Sequence, residues 1–304
     1  MKLMAPDYYG LFRCIADRCR HSCCIGWEID IDPDTREKYR HIPGAFGKRL
    51  NEGIEDAPEG AHFRLSQDER CPMLNQNGLC DLITTIGEQN LCQICADHPR
   101  FRNFFSERTE VGLGLCCEAA AALILQSKEP VQFVVLEEAQ EQLTDDEEEL
   151  LALRSHLIAI MQNRTIPLEQ RLDLVLEAIR FPLPPLDWQK IFSSLERLDH
   201  AWDTVIAPLT GKDLSLPCPT LDALQIPLEQ FAVYMLWRHM PAALEDGDVQ
   251  GHAAFCVLSV KVLAALCTET PTLEHCIEAA RMYSSEIEYS QENMDALLDA
   301  LWSE

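Results

Sequence analysis

Thiols dominate the chemistry this chain can offer. Of its fourteen cysteines, ten fall before residue 118: Cys14, Cys19, Cys23, Cys24, Cys71, Cys80, Cys92, Cys95, Cys116 and Cys117. Thiolates hold a metal well only when several converge, so spacing carries the argument. Cys92-Gln93-Ile94-Cys95 is a CxxC, whose turn aims two sulfurs at one ion, and it lies just before His98-Pro99. Cys14, Cys19, Cys23 and Cys24 form a looser second group. Cys71 and Cys80 bracket Asn75-Gln76-Asn77-Gly78, a turn expected to fold them towards each other. Cys116-Cys117 stands where a helix is expected to begin, at the positive end of its dipole. Cysteine this concentrated needs a reason beyond packing. The candidate ligands are Cys14, Cys19, Cys23, Cys24, Cys71, Cys80, Cys92, Cys95 and Cys116. Structural zinc favours two short CxxC-type pairs, and only one is present. An iron–sulfur cluster accepts thiolates from distant parts of a chain, so the uneven spacing points to [4Fe-4S], with zinc as the alternative. The radical-type CxxxCxxC is absent, because after Cys19-x3-Cys23 the third position holds Gly26. His21 reads as a solvated loop residue. Cys218, Cys256, Cys267 and Cys276 are scattered and read as core packing, as does His252 one helical turn before Cys256.

The elements that must position these thiols are of two kinds. Residues 1–128 read as a cysteine-rich, irregular metal-binding region with a few short strands, and residues 129–304 as a helical region. The fold class is mainly α. Trp27 to Asp32 alternates apolar and acidic, the pattern of a half-buried strand, and Pro33-Asp34-Thr35 opens a short helix towards Tyr39. One helical turn is expected within 43–62, and a strand over His62–Ser66. After Cys117 come an alanine-rich helix to Lys128 and a buried strand over Val131–Leu136. Thr144-Asp145-Asp146-Glu147 has capping-box spacing and starts a helix carrying Leu150, Leu151, Leu157, Ile158 and Met161. Further helices are expected over 167–180, 187–206, 220–239, 248–268, 271–284 and 286–302.

Charge excludes several functions. The 25 basic and 50 acidic residues leave −25, of which −20 falls in 126–304 (11 basic, 31 acidic). Nucleic-acid binding depends on basic residues displacing counterions from phosphate, so it is set aside. The same field attracts a lysine-rich partner. The opening residues lack an apolar secretory segment, and the most apolar run, Ala253–Cys267, is short and interrupted by Lys261, so neither export nor a membrane span is expected. A cytoplasmic protein follows, in which thiols serve metal or redox chemistry. There is no GxGxxG, P-loop, HExxH or GxSxG.

The ordered set Phe12-Arg13-Cys14, Cys19, Ser22-Cys23-Cys24-Ile25-Gly26-Trp27, Cys71-Pro72-Met73-Leu74, Gly78-Leu79-Cys80, Leu91-Cys92-Gln93-Ile94-Cys95, His98-Pro99-Arg100-Phe101 and Leu115-Cys116-Cys117-Glu118 resembles the flagellin lysine N-methylase family. That family shares its cysteine array with the wider group of zinc- or iron-chelating CxxCxxCC proteins. The resemblance covers about residues 1–125. It implies S-adenosyl-L-methionine-dependent methylation of lysines on flagellin before export, with a cysteine-bound iron–sulfur centre. It further implies Trp27, Arg100 and Glu118 as accompanying motif positions. No glycine-rich S-adenosylmethionine motif is present, and no residue stands out as catalytic base. The alternative is a non-catalytic metal-binding or redox-sensing interaction module.

Overall fold

A computed structural model describes residues 1–217 and 221–303. Cys218, set among the packing cysteines above, and the first residue of the helix expected from 220 lie outside the described residues. The protein is mainly α, as the periodicity indicates. Its chain opens with strand β1 (Lys2–Pro6) and then enters a compact unit formed by residues 13–100. There β2 (Asp30–Ile31) leads into helix α1 (Pro33–Arg40), whose first turn is capped by Asp32 and opened by Pro33. The alternating segment from Trp27 buries Ile29 and Ile31 and exposes Glu28 and Asp30, although only two of its residues pair as strand. Helix α2 (Gly44–Glu52) precedes the hairpin of β3 (Ile54–Ala57) and β4 (Gly60–Phe63), and the small sheet runs β2-β4-β3. Helices α3 (Asp81–Ile86) and α4 (Gln93–Asp97) are one or two turns long. This unit's core consists of Ile29, Ile31, Tyr39, Leu50, Ile54, Phe63, Met73 and Leu82, together with Cys71 and Cys92.

The larger unit comprises residues 1–12 and 101–304. Strands β5 (Arg100–Phe104), β6 (Arg108–Leu113) and β7 (Phe133–Glu137) join β1 in a sheet of order β5-β6-β1-β7. β1 runs parallel to β6 and antiparallel to β7. Between β6 and β7 lies helix α5 (Glu118–Leu125). The expected strand near 131–136 is present, but Val134, Val135 and Leu136 are exposed rather than buried. A short apolar run has no period by which its burial can be read.

Helix α6 (Asp145–Met161) starts with the complete Thr144–Glu147 capping box, and Asp145, Asp146, Glu148 and Glu149 are solvated at its positive end. Then follow α7 (Leu168–Ile179), α8 (Trp188–Ser194) and α9 (Trp202–Val205). The single helix expected over 187–206 is thus two. The Glu286 carboxylate accepts the amides of Leu198 and Asp199 at 3.0 and 2.6 Å, and Asn293 accepts that of Glu196 at 2.8 Å, so tertiary partners draw these amides out of a helical ladder. Helices α10 (Gln225–His239), α11 (Ala243–Asp246), α12 (Val249–Leu266), α13 (Leu273–Tyr283) and α14 (Gln291–Leu301) complete the unit. A π-helical turn, Ser284–Glu288, prolongs α13.

Among the described residues α12 alone is long and apolar enough to cross a membrane, and 89% of it is buried inside the fold. It packs on α7, α10, α13 and α14, so burial on every side explains its apolar surface. Lys261 fits this core because its ammonium reaches the carbonyls of Leu214 and Leu216 at 3.2 and 2.9 Å. Cys256, Cys267 and Cys276 pack in the same core, and His252 bonds Asp246 at 2.8 Å.

Candidate metal centre

Backbone pairing inside the smaller unit gathers the thiols. The amide of Cys71 donates to the carbonyl of Cys24 at 2.8 Å, next to the Ile25–Arg70 bridge. From Cys71 the chain turns back on itself. Asn75 Oδ1 accepts the amides of Asn77 and Leu79, Gly78 takes φ +74°, and Leu74 bridges Cys80. The Asn75–Gly78 turn therefore does what its composition predicts, and brings Cys80 back beside the Cys71 segment. Cys80 and Cys92 occupy the residues just before α3 and α4. One carboxylate anchors the CxxC: Asp32 Oδ2 accepts the amide of Gln93 at 2.9 Å, and its Oδ1 accepts that of Thr35 at 2.9 Å. The start of α4 is thereby pinned to the start of α1. Arg100 Nη1 donates to the Ala96 carbonyl at 3.2 Å and steadies the other end of α4.

Five thiols share the resulting core. Cys71 and Cys92 are buried, and Cys24, Cys80 and Cys95 pack against the same cluster. Hydrogen bonding from Cys23 draws the Cys24 thiol down to about 7 against the opposing effect of burial, with Ser22 and Arg70 assisting. Cys95 and Cys92 hydrogen-bond each other, which lowers Cys92 and raises Cys95. Burial pushes Cys71 up to about 12, and the charges of Cys24, Cys80 and Cys92 add to it. Burial also raises Cys80, with Cys24 contributing. Tyr39 is raised by burial and then by Cys92, Cys95 and Cys80, while its hydroxyl donates to the Asn90 carbonyl at 2.7 Å. Burial lowers His98 to about 4, so its imidazole is neutral at physiological pH.

Among the described residues, no three Cys, His, Asp or Glu side chains stand at the spacing of a formed metal site. The donor chemistry nonetheless suits one kind of group. The cluster is built from soft sulfur donors, and burial disfavours their ionised form unless a cation replaces the protons. Cys24, Cys71, Cys80, Cys92 and Cys95 are the residues that would hold it.

The other candidate ligands are not members of this core cluster. Cys14 is exposed, with its sulfur 3.4 Å from the amide of Ala16, and Cys19 is 3.3 Å from the His21 carbonyl. Cys23 is exposed and joined to the five through Cys24. Cys116 and Cys117 belong to the larger unit.

Within that unit Cys116 is buried beside polar residues that sequence reasoning missed. It hydrogen-bonds Tyr289, and burial pushes its thiol up to about 12. Next to it, Glu288 Oε2 accepts from Tyr234 Oη at 2.7 Å and from His239 Nε2 at 2.7 Å, with Arg238 Nε at 3.3 Å. Arg238 Nη1 donates to Tyr234 at 2.7 Å, and the guanidinium lies over the rings of Phe101, Tyr234 and Tyr289. Burial alone would raise Glu288, yet Arg238 and His239 hold it down at about 2. The ionised carboxylate thus ties Tyr234, Arg238 and His239 together within the core. A π-helical turn delivers Glu288. The available signal was the clustering of Tyr234, Arg238 and His239 at the end of a helix otherwise apolar there.

Comparison with known proteins adds a relationship. Over 126 residues the chain is 27% identical to the lysine-N-methylase of Salmonella typhimurium and to that of Salmonella choleraesuis. The matched region covers 40% of this chain and 31% of each relative, so the chain spans about a third of their length. It is likewise 27% identical over 126 residues to the flagellar biosynthetic protein FliU of Salmonella muenchen, covering 75% of that protein. These matches relate the chain to the flagellin lysine N-methylases. No family model and no solved structure matches it.

Proposed function

We propose that this relative of the flagellin lysine N-methylases is itself a lysine N-methyltransferase. It would take the methyl group of S-adenosyl-L-methionine and place it on flagellin lysines in the cytoplasm before export. The observation that carries this reading is the match to two proteins named lysine-N-methylase. The reaction forms a bond between the lysine nitrogen and the sulfonium methyl, breaks the methyl–sulfur bond and releases S-adenosylhomocysteine. The amine must be neutral and aligned, so its proton passes to a base or to water first. The acidic surface favours approach of a lysine-rich substrate, with −20 of the −25 net charge in residues 126–304.

Cys24, Cys71, Cys80, Cys92 and Cys95 would hold a [4Fe-4S] cluster, with zinc as the alternative. Either supplies folding energy to a small unit whose helices are short. Around that group, the chain's own residues set the frame: Asp32 orients the CxxC, Tyr39 packs in the same core as the thiols, and Cys71 and Cys92 sit away from water.

The test is to incubate oxygen-free protein with S-adenosylmethionine and flagellin, and to weigh the flagellin peptides. A gain of one methylene on lysine supports the reading, and unchanged lysines with no binding of the methyl donor overturn it. A second reading, a redox-sensing module, is favoured by the thiol-to-thiol hydrogen bonds Cys23–Cys24 and Cys92–Cys95. It would be supported by a form that loads metal and works without binding S-adenosylmethionine.

A further inference from the structure

Strand β7 ends the larger unit's sheet, and among the described residues its far edge meets no other strand. Natural edges are usually blunted by lysine, proline, a bulge or a covering element. Residues 131–137 (VQFVVLE) contain no lysine, arginine or proline; β7 carries one extra residue, Leu136, between the pairs Leu3–Glu137 and Met4–Val135, while Phe133, Val134 and Val135 keep regular register with Pro6, Ala5 and Met4. Val134, Val135 and Leu136 are 38%, 38% and 44% exposed. Because successive side chains alternate between faces, apolar surface is open on both sides of this edge.

The surroundings say what suits it. Residues 126–150 hold nine acids and one base, Lys128. Two of the nine are engaged internally, Glu141 with Lys2 and Arg108, and Glu147 with Ser106 and Thr144. The remaining seven include Glu137 and Glu138 at the end of the strand itself. A second copy of this chain pairing along the same edge would set acids against acids. An extended segment bearing lysines would set ammonium groups against them and aliphatic stems on the valines. Beside the head of β7 opens a cleft of about 260 Å3, lined by Met4, Gln132, Phe133, Arg154 and Trp237, with Phe133 stacked on Trp237 at 4.2 Å. It offers room for one side chain of an added strand.

We propose that β7 is a docking edge for an extended, lysine-bearing polypeptide segment, which joins the sheet as a fifth strand. Main-chain hydrogen bonds give the affinity, and the acids and the cleft give the selectivity. This deepens the proposed methylase reading by stating how a lysine-bearing substrate is held, but binding alone tests it.

The probe is a fluorescent, strand-length synthetic peptide alternating lysine and valine, titrated against the full chain. Binding is expected for this peptide, with loss for a glutamate–valine counterpart and for a copy methylated on its backbone nitrogens. The double variant Val134→Lys, Leu136→Lys places charge at two exposed positions, and should weaken binding about tenfold while leaving the far-ultraviolet circular dichroism unchanged. Equal binding of the backbone-methylated peptide, or an undiminished affinity of the double variant, overturns the proposal. So does concentration-dependent dimerisation through β7 with no peptide bound. Peptide binding without methyl transfer would sink the enzymatic reading and leave the docking edge standing. Methyl transfer that is indifferent to the double variant would do the reverse.

Discussion

The backbone of Cys71 is hydrogen-bonded to that of Cys24 at 2.8 Å, although many residues separate them in sequence. This contact joins Cys24, from the looser cysteine group, to the Cys71–Cys80 turn, and places Cys24, Cys71 and Cys80 in the core that the CxxC completes. It explains how dispersed thiols come to share one environment.

Ligand replacement should follow that grouping. Cys71→Ser and Cys95→Ser are expected to lose bound metal and lower the melting temperature, because ligand loss removes metal-coupled folding energy. Cys256→Ser, in the core of the larger unit, should retain full metal content. Elemental analysis beside thermal melts checks this, and equal metal content in all three variants would contradict the assignment.

Thiol reactivity should be graded in the metal-free protein. Cys14 and Cys23 are exposed, whereas Cys71 and Cys92 are buried. Alkylation mapped by mass spectrometry should mark the first two early and the last two only on unfolding. Cys24, drawn down to about 7 by its hydrogen bond from Cys23, should react with a midpoint near that pH. Loading metal should then protect Cys24 while Cys14 stays reactive.

Glu288 makes the larger unit acid-sensitive. Its carboxyl lies at about 2 in the folded protein, below its ordinary 4.5, because Arg238 and His239 outweigh the effect of burial. Between those values the unfolded chain binds more protons. The stabilisation is therefore complete above about 4.5 and is lost as pH falls towards 2. Glu288→Gln should flatten that part of the stability profile. At neutral pH it should cost about 3–5 kcal/mol, since Arg238 is left buried without its counter-charge. Urea melts across the acid range measure both effects, and a variant profile parallel to the parent's would refute them.

A second buried pair offers an independent check. Arg154 donates to both oxygens of Glu110 at 2.7 and 2.6 Å, with side chains 4% and 0% exposed, and its guanidinium lies 4.5 Å from the Trp237 ring centre. Arg154→Met should destabilise by about 3–5 kcal/mol by removing the two-pronged partner of buried Glu110, which keeps the longer contact to Arg108 at 3.4 Å, and Arg154→Met with Glu110→Leu should recover much of that loss. Chemical denaturation of the single and double variants decides it, and additive losses would contradict the coupling.

How much of this could be read from sequence depends on how local the cause is. The Thr144–Glu147 cap, the Asn75–Gly78 turn and the Pro33 start of α1 are set by neighbours along the chain, and all are present. The mainly α character follows from periodicity. The cysteine spacing pointed to convergence, but could not say which thiols meet, because the Cys24–Cys71 pairing is made across the fold. The break between α8 and α9 was invisible for the same reason, as the Glu286 and Asn293 that capture the intervening amides lie far along the chain. The Glu288 cluster had only a faint local trace. Its members come from α10 and from a π-helical turn, an element with no simple sequence signature.

The most direct measurement of the central claim is the ultraviolet–visible spectrum and elemental content of protein purified without oxygen. The thiol core built from Cys24, Cys71, Cys80, Cys92 and Cys95 predicts stoichiometric metal, with a broad band near about 400 nm for [4Fe-4S] or bound zinc with no such band. Fully folded protein carrying neither iron nor zinc, with all five thiols free to titrate, would contradict it.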